Sequence, residues 1–193
     1  IITCYKNSPP HNVHLAVLTD VSHLSWKVQE DKLSITEVEQ EFAKIKSKPH
    51  YNDILIAIAV GLSCAGLCLF SLGDWINALV TFSAAFIGYY VKVLFSNKRY
   101  NPMICISIAA FITTLITGLG KLYGIGSHPE AAMATAVLYL IPGVPLINSV
   151  IDLIEGYLTS AVNRCLFAGF ILLCIAAGMM LSITLLGIDN FNL

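Results

Sequence analysis

DILIAIAVGLSCAGLCLFSLGD, from Asp53 to Asp74, places twenty uncharged and mostly apolar residues between two acids. About 20 helical residues cross the roughly 30 Å hydrocarbon core of a bilayer, so the stretch Ile54 to Gly73 predicts a membrane span. Four more segments of the same character follow: Trp75 to Phe95, Pro102 to Gly120, Pro129 to Ile147 and Cys165 to Gly187. The link Gly73-Asp74-Trp75 is so short that the first two spans must form an antiparallel hairpin. The expected fold class is an all-α integral membrane protein with five transmembrane helices, preceded by a short cytoplasmic helical arm.

Composition agrees. The chain has 193 residues, 56% hydrophobic and only 12% charged, with a mean hydropathy of +0.76, against about 25% charge in a soluble domain. Thirteen of the charges fall in residues 1–53, nine in 54–188 and one at Asp189. This divides the chain into a cytoplasmic helical arm at 1–53, a five-span membrane domain at 54–188 and an external tail at 189–193. The chain opens on Ile1 with no secretory-leader pattern, and the arm is expected to be the end of a longer soluble domain. A net charge of −1 offers no footprint for nucleic acid.

Orientation follows from the placement of Lys and Arg. With the arm in the cytoplasm, that side holds Lys6, Lys27, Lys32, Lys44, Lys46, Lys48, Lys92, Lys98, Arg99 and Arg164, leaving only Lys121 outside. The N-terminus is therefore expected inside and the C-terminus outside, in a multi-pass membrane protein.

Within the arm, apolar positions from Val13 to Val28 lean helical, with Trp26 as a possible anchor. Leu33-Ser34-Ile35-Thr36-Glu37-Val38 has the form of a capping box, Ser34 accepting from the Glu37 amide and Glu37 reaching back. It should start a helix over about Ile35 to Lys46, stopped by Pro49. His11, His14 and His23 have no carboxylate or thiol spacing that would make them ligands.

Five of the six cysteines lie in apolar runs, where Cys packs as a small hydrophobe. Cys64 and Cys68 share a helix face, yet no third or fourth zinc ligand accompanies them. Catalytic and cofactor motifs are missing as well. Gly61-Leu62-Ser63-Cys64-Ala65 falls one residue short of a nucleophile elbow, and Gly120-Lys121 lacks the rest of a phosphate loop. No enzyme activity and no cofactor are expected. Asn77, Thr81, Ala84 and Gly88 in span two, and Thr113, Thr117 and Lys121 in span three, recur at helical spacing. They suit close helix packing, with a solvated pathway as the alternative.

The fourth span is broken. In Leu140-Ile141-Pro142-Gly143-Val144-Pro145-Leu146-Ile147-Asn148 two prolines and a glycine interrupt an apolar helix, freeing carbonyls that must find protein or water. Such breaks are either simple kinks or the discontinuous helices that build transporter sites. On a helix starting near Leu146, the residues Asn148, Asp152, Glu155, Thr159 and Asn163 fall within about 80° of one another at about 100° per residue. Acids at membrane depth are costly and mark ion or proton pathways, so Asp152 is the first candidate for coupling, with Asn148 and Glu155 beside it. On a straight helix Arg164 lies about 120° from Asp152, which argues against a pair within that helix and leaves Arg164 as a boundary anchor or a contact for an anionic substrate. Pro142, Gly143, Pro145, Thr117 and Lys121 complete the candidate pathway.

These residues carry a family resemblance. An arm ending in Lys48-Pro49-His50-Tyr51, then Val60-Gly61-Leu62-Ser63-Cys64-Ala65, Gly73-Asp74-Trp75, and Ile141-Pro142-Gly143-Val144-Pro145-Leu146-Ile147-Asn148-Ser149-Val150-Ile151-Asp152 with Arg164 beyond, resembles the threonine/serine exporter (ThrE-like) family, and within it the short five-span YjjP type. The resemblance implies export of a small organic anion, a succinate-like dicarboxylate for the short type, or of an amino acid, threonine or serine, for the long type. It also implies a separate YjjB-type membrane subunit as partner, alongside the lipid bilayer and a possible homo-oligomer. A non-transporting membrane scaffold is the alternative class.

Overall fold

The computed structural model describes residues 15–31, 33–46 and 51–188, and every regular element among them is helical. They form two units divided between His50 and Tyr51. The first is a pair of helices, α1 (Leu15–Asp31) and α2 (Ile35–Lys46), packed on each other around the buried Leu24. At the start of α2 the Ser34 amide donates to Glu37 Oε2 at 2.9 Å, as a capping box requires. The Ser34 hydroxyl also donates to that oxygen, at 2.8 Å, where it was expected to accept from the Glu37 amide. Trp26 is exposed within α1 and anchors nothing in this unit. His11 and His14 lie outside the described residues.

The second unit contains α3 (Asp53–Phe70), α4 (Trp75–Asn97), α5 (Pro102–Leu122), α6 (Pro129–Ala136), α7 (Gly143–Ile154) and α8 (Leu158–Leu186), with a 3-10 turn at Leu138–Leu140. Four helices, α3, α4, α5 and α8, are each long and apolar enough to cross a membrane, and α6 with α7, bent by 68° at the break, brings the number to five where the pair is taken as one span. Asn52 starts α3 by accepting from the Ile54 amide at 3.2 Å, and Asn101 starts α5 by accepting from the Met103 amide at 2.9 Å. Each satisfies one of the N–H groups that a helix start leaves without a partner. Pro102 stands at the first helical position, where its missing donor costs nothing.

The bundle is apolar on its outside and small or weakly polar within. Ala57, Ala84, Ala85, Ala109, Ala110, Ala136 and Ala168 are buried with Asn77, Thr81, Thr113, Thr114 and Thr117, while Phe70, Leu79, Leu173, Met180 and Leu185 face outward. Lipid tails are as apolar as leucine, so helices associate where small residues let backbones approach. Asn77, Thr81, Ala84 and Gly88 of the span-two stripe and Thr113 and Thr117 of the span-three stripe are packed inside the bundle in this conformation, whereas Lys121 pairs with Glu130. Helices α3 and α4 form the expected hairpin, and α4 and α5 a second one. In contrast, α5 and α8 run parallel. Ser107 Oγ donates to the Cys174 carbonyl at 3.0 Å, Gly178 packs on the Ser107 carbonyl, and Gly118 meets Leu186 further along both helices.

Two boundaries differ from the sequence reading. The last helix begins at Leu158 rather than Cys165, and the amphipathic helix expected through Asn163 stops at Ile154. Gly156, at φ +86°, is the cause. This left-handed backbone ends a helix and suits glycine, which has no Cβ to clash. The turn Glu155-Gly156-Tyr157 then reverses the chain so that α7 packs along α8.

Candidate functional site

The reversal at Gly156 creates the most polar contact of the α7–α8 hairpin. Arg164 Nη1 lies 3.2 Å from Asp152 Oδ2, and Ser160 Oγ donates to the same oxygen at 2.8 Å. The straight-helix argument against this pair fails because the helix is not straight: Asp152 sits near the end of α7 and Arg164 in the second turn of α8. The Asp152 side chain is 14% exposed and that of Arg164 45% exposed. An acid largely removed from water is thus held by a cation that still reaches the surface. Ser160 was not anticipated. The readable signal was Gly156, a helix stop placed just after an amphipathic run.

The other candidates separate. Asn148 is half-buried one turn before Asp152 on α7, whereas Glu155 is exposed at the C-cap. Thr159 and Asn163 belong to α8, so the continuous five-residue polar stripe does not form. Pro142 is the N-cap of α7, Gly143 its first residue and Pro145 its third. At these positions a helix has no use for the donor that proline lacks. The Pro-Gly-Val-Pro segment therefore starts a helix rather than kinking one. Just before it, Tyr139 contacts Thr113 of α5 and lies against Gly88 of α4, both near the middle of their helices. The break thus lies beside the middle of α4 and α5.

Thr117 is fully buried, its hydroxyl donating within α5 to the carbonyls of Thr113 and Thr114 at 3.1 and 3.2 Å. Lys121, at the end of α5, pairs with Glu130 at the start of α6 at 3.0 Å, both side chains mostly covered. Between them the loop over 123–128 folds toward the start of α4, where Asp74 Oδ2 accepts from the Ser127 amide at 3.1 Å. Cys64, Cys68 and Cys105 are buried and free, and no cluster of potential metal ligands occurs among the described residues.

Comparison with known proteins adds the family. The model of the family described as "Putative threonine/serine exporter" matches residues 1–186. The chain is 32% identical over 191 residues to the "Probable succinate transporter subunit YjjP" of Klebsiella aerogenes, covering 98% of this chain and 74% of that protein. It is 31% identical, with the same coverage, to the protein of that name in Escherichia coli. A "Probable threonine/serine exporter" of Mycobacterium tuberculosis is 22% identical over 98% of this chain and 35% of its own length. No solved structure matches. With its apolar helices and a family match along nearly its whole length, the chain belongs to the threonine/serine exporter family and is a multi-pass membrane transporter.

Proposed function

We propose that the chain is one membrane subunit of a secondary exporter for small organic acids of the succinate type, acting with a second small membrane subunit of the YjjB type. The arm lies in the cytoplasm, and the loop over 123–128 lies outside. The observation that carries this reading is the Asp152–Arg164–Ser160 contact, placed where a broken span returns into an apolar helix. A guanidinium recognises carboxylates through paired hydrogen bonds, and Arg164 remains partly accessible. A substrate carboxylate that takes Arg164 leaves Asp152 without its counter-charge. A carboxylate so placed is costly without a counter-charge, which ties anion binding at Arg164 to the compensation of Asp152. No nucleotide motif occurs in the sequence, which supports an ion or solute gradient as the driving force. The names of the relatives from Klebsiella aerogenes and Escherichia coli favour the dicarboxylate over an amino acid.

The test is solute flux in liposomes holding the full chain with and without the second subunit. Succinate flux is expected only with both. Asp152→Asn should insert normally but lose most pH-dependent flux, while exposed Glu155→Gln should matter less. Pairs that move no solute would favour the scaffold reading, and flux of threonine alone would favour the amino acid.

A further inference from the structure

At the other end of the bundle one side chain is out of keeping with its surroundings. Asn77, in the first turn of α4, is 1% exposed, and neither its amide nitrogen nor its amide oxygen has a hydrogen-bond partner. Leaving buried polar groups unpaired costs about 1–3 kcal/mol each, and such groups in a native protein call for an explanation. A leucine, with the same branching and number of side-chain heavy atoms, would leave no polar atom unpaired.

The covering of Asn77 is local. Gly126, at φ +83°, packs so closely on the amide that any Cβ there would collide with its oxygen. The loop that carries Gly126 is tied at one edge by Ser127 to Asp74, next to the start of α4, and is flanked in sequence by the Lys121–Glu130 pair. Asn77 and Thr81 are linked along α4, the Thr81 hydroxyl donating to the Asn77 carbonyl at 2.8 Å and leaving the amide itself unengaged. The loop rests on an unsatisfied amide and is tied to the start of α4 through Ser127, while the Gly124 and Ile125 amides donate back to the end of α5, to the Lys121 and Gly120 carbonyls at 3.1 and 2.8 Å; it is a cover that can lift from α4 about its own base.

We infer that Asn77 is a solute-binding residue at the outer end of the exporter, covered by the loop over 123–128. The amide presents a donor to a carboxylate and an acceptor to a hydroxyl or ammonium group. The solute this selects is a small carboxylic acid that also carries a hydrogen-bond donor. Between two dicarboxylates of equal length, malate satisfies both sides of the amide at neutral pH, whereas doubly ionised succinate satisfies only one. The inference rests on the transport reading above and narrows its substrate class.

Equilibrium binding of malate and succinate to the full chain with its second subunit tests this without requiring flux. Asn77→Leu removes both unpaired atoms, so a purely structural Asn77 predicts equal or higher thermal stability and unchanged binding. The binding role predicts equal or higher stability with at least a tenfold loss of malate affinity and a smaller loss for succinate. A malate affinity within twofold of the parent overturns the proposal, and an equal loss for both acids overturns the donor requirement. If Asn77→Leu does not fold, the pair Asp74→Cys with Ser127→Cys, judged against each single variant, takes its place. Oxidation should fix the loop and abolish binding from that side, and reduction should restore it. Binding indifferent to the cross-link overturns the cover. Malate binding lost in Asn77→Leu, in a parent that moves neither acid, would uphold the site and overturn the transport reading instead.

Discussion

The hydroxyls of Thr113 and Tyr139 stand 3.1 Å apart, and Gly88 of the neighbouring helix leaves the space that both occupy. A Cβ at Gly88 would collide with Thr113 Oγ1 and the Tyr139 hydroxyl. Gly88→Ala should therefore lower stability by about 1–3 kcal/mol, the usual cost of overpacking, despite the better helix propensity of alanine. Gly169 in α8 has no neighbouring atom within 4 Å of such a Cβ, so Gly169→Ala should leave stability unchanged or raise it. Thermal unfolding in detergent compares the two.

The Asp152–Arg164 pair should respond asymmetrically. Arg164→Gln strands an acid that is 14% exposed, whereas Asp152→Asn strands a guanidinium that is 45% exposed and can turn to water. Breaking a buried pair costs up to about 3–5 kcal/mol, reduced here by the exposure of the arginine. Arg164→Gln is expected to lose more folded protein than Asp152→Asn, and the double variant to recover part of the loss. Equal losses in the two single variants would mean that the acid reaches solvent.

Gly156 tests the turn separately from packing. Nothing lies within 4 Å of a Cβ built there, yet its φ is +86°. Gly156→Ala should cost about 1–2 kcal/mol through backbone strain alone, and Gly156→Asn less, because asparagine tolerates left-handed backbone better. Limited proteolysis at the α7–α8 turn would register the difference.

Asp74 sets an acid limit for the tie to the loop. Hydrogen bonds from the Ser127 hydroxyl and then from its amide hold Asp74 below its ordinary value of 3.8, with His128 assisting and desolvation opposing. A carboxylate pKa depressed on folding contributes stability that is complete above the unfolded value and is lost as pH falls through the folded one. The stability difference between the parent and Asp74→Asn should thus shrink as pH falls below 3.8. A difference that changes between neutral pH and pH 5 would point to another group.

Reporter fusions after Asn97, Ser127 and Thr159 and at Leu193 should read inside, outside, inside and outside. A C-terminal reporter reading inside would refute the odd number of spans.

Periodicity and charge made the apolar spans legible, because a bilayer demands long uncharged helices whatever their neighbours. The Pro142-Gly143-Val144-Pro145 break was legible for a similar reason, since proline acts on its own backbone. Contacts set by tertiary geometry were not. Ser160 reaches Asp152 only because Gly156 reverses the chain, and Glu130 meets Lys121 across a loop whose path no local pattern specifies. Asn77 was visible as one member of a small-residue stripe, but its lack of partners emerges only when α4 meets the loop. The arm's α2 needed nothing beyond its capping residues and charge order.

The parallel pairing of α5 and α8 has a consequence for how the chain enters the bilayer during synthesis. Two neighbouring helices pointing the same way require the intervening polypeptide to recross, and here it offers only an eight-residue α6 and a twelve-residue α7. At 1.5 Å per residue these are about 12 and 18 Å long, so neither spans a bilayer alone. The 29-residue α8, about 44 Å at the same rise, has apolar length to spare. The segment between α5 and α8 therefore has to cross as two joined pieces, neither of which can be placed in the bilayer without the other.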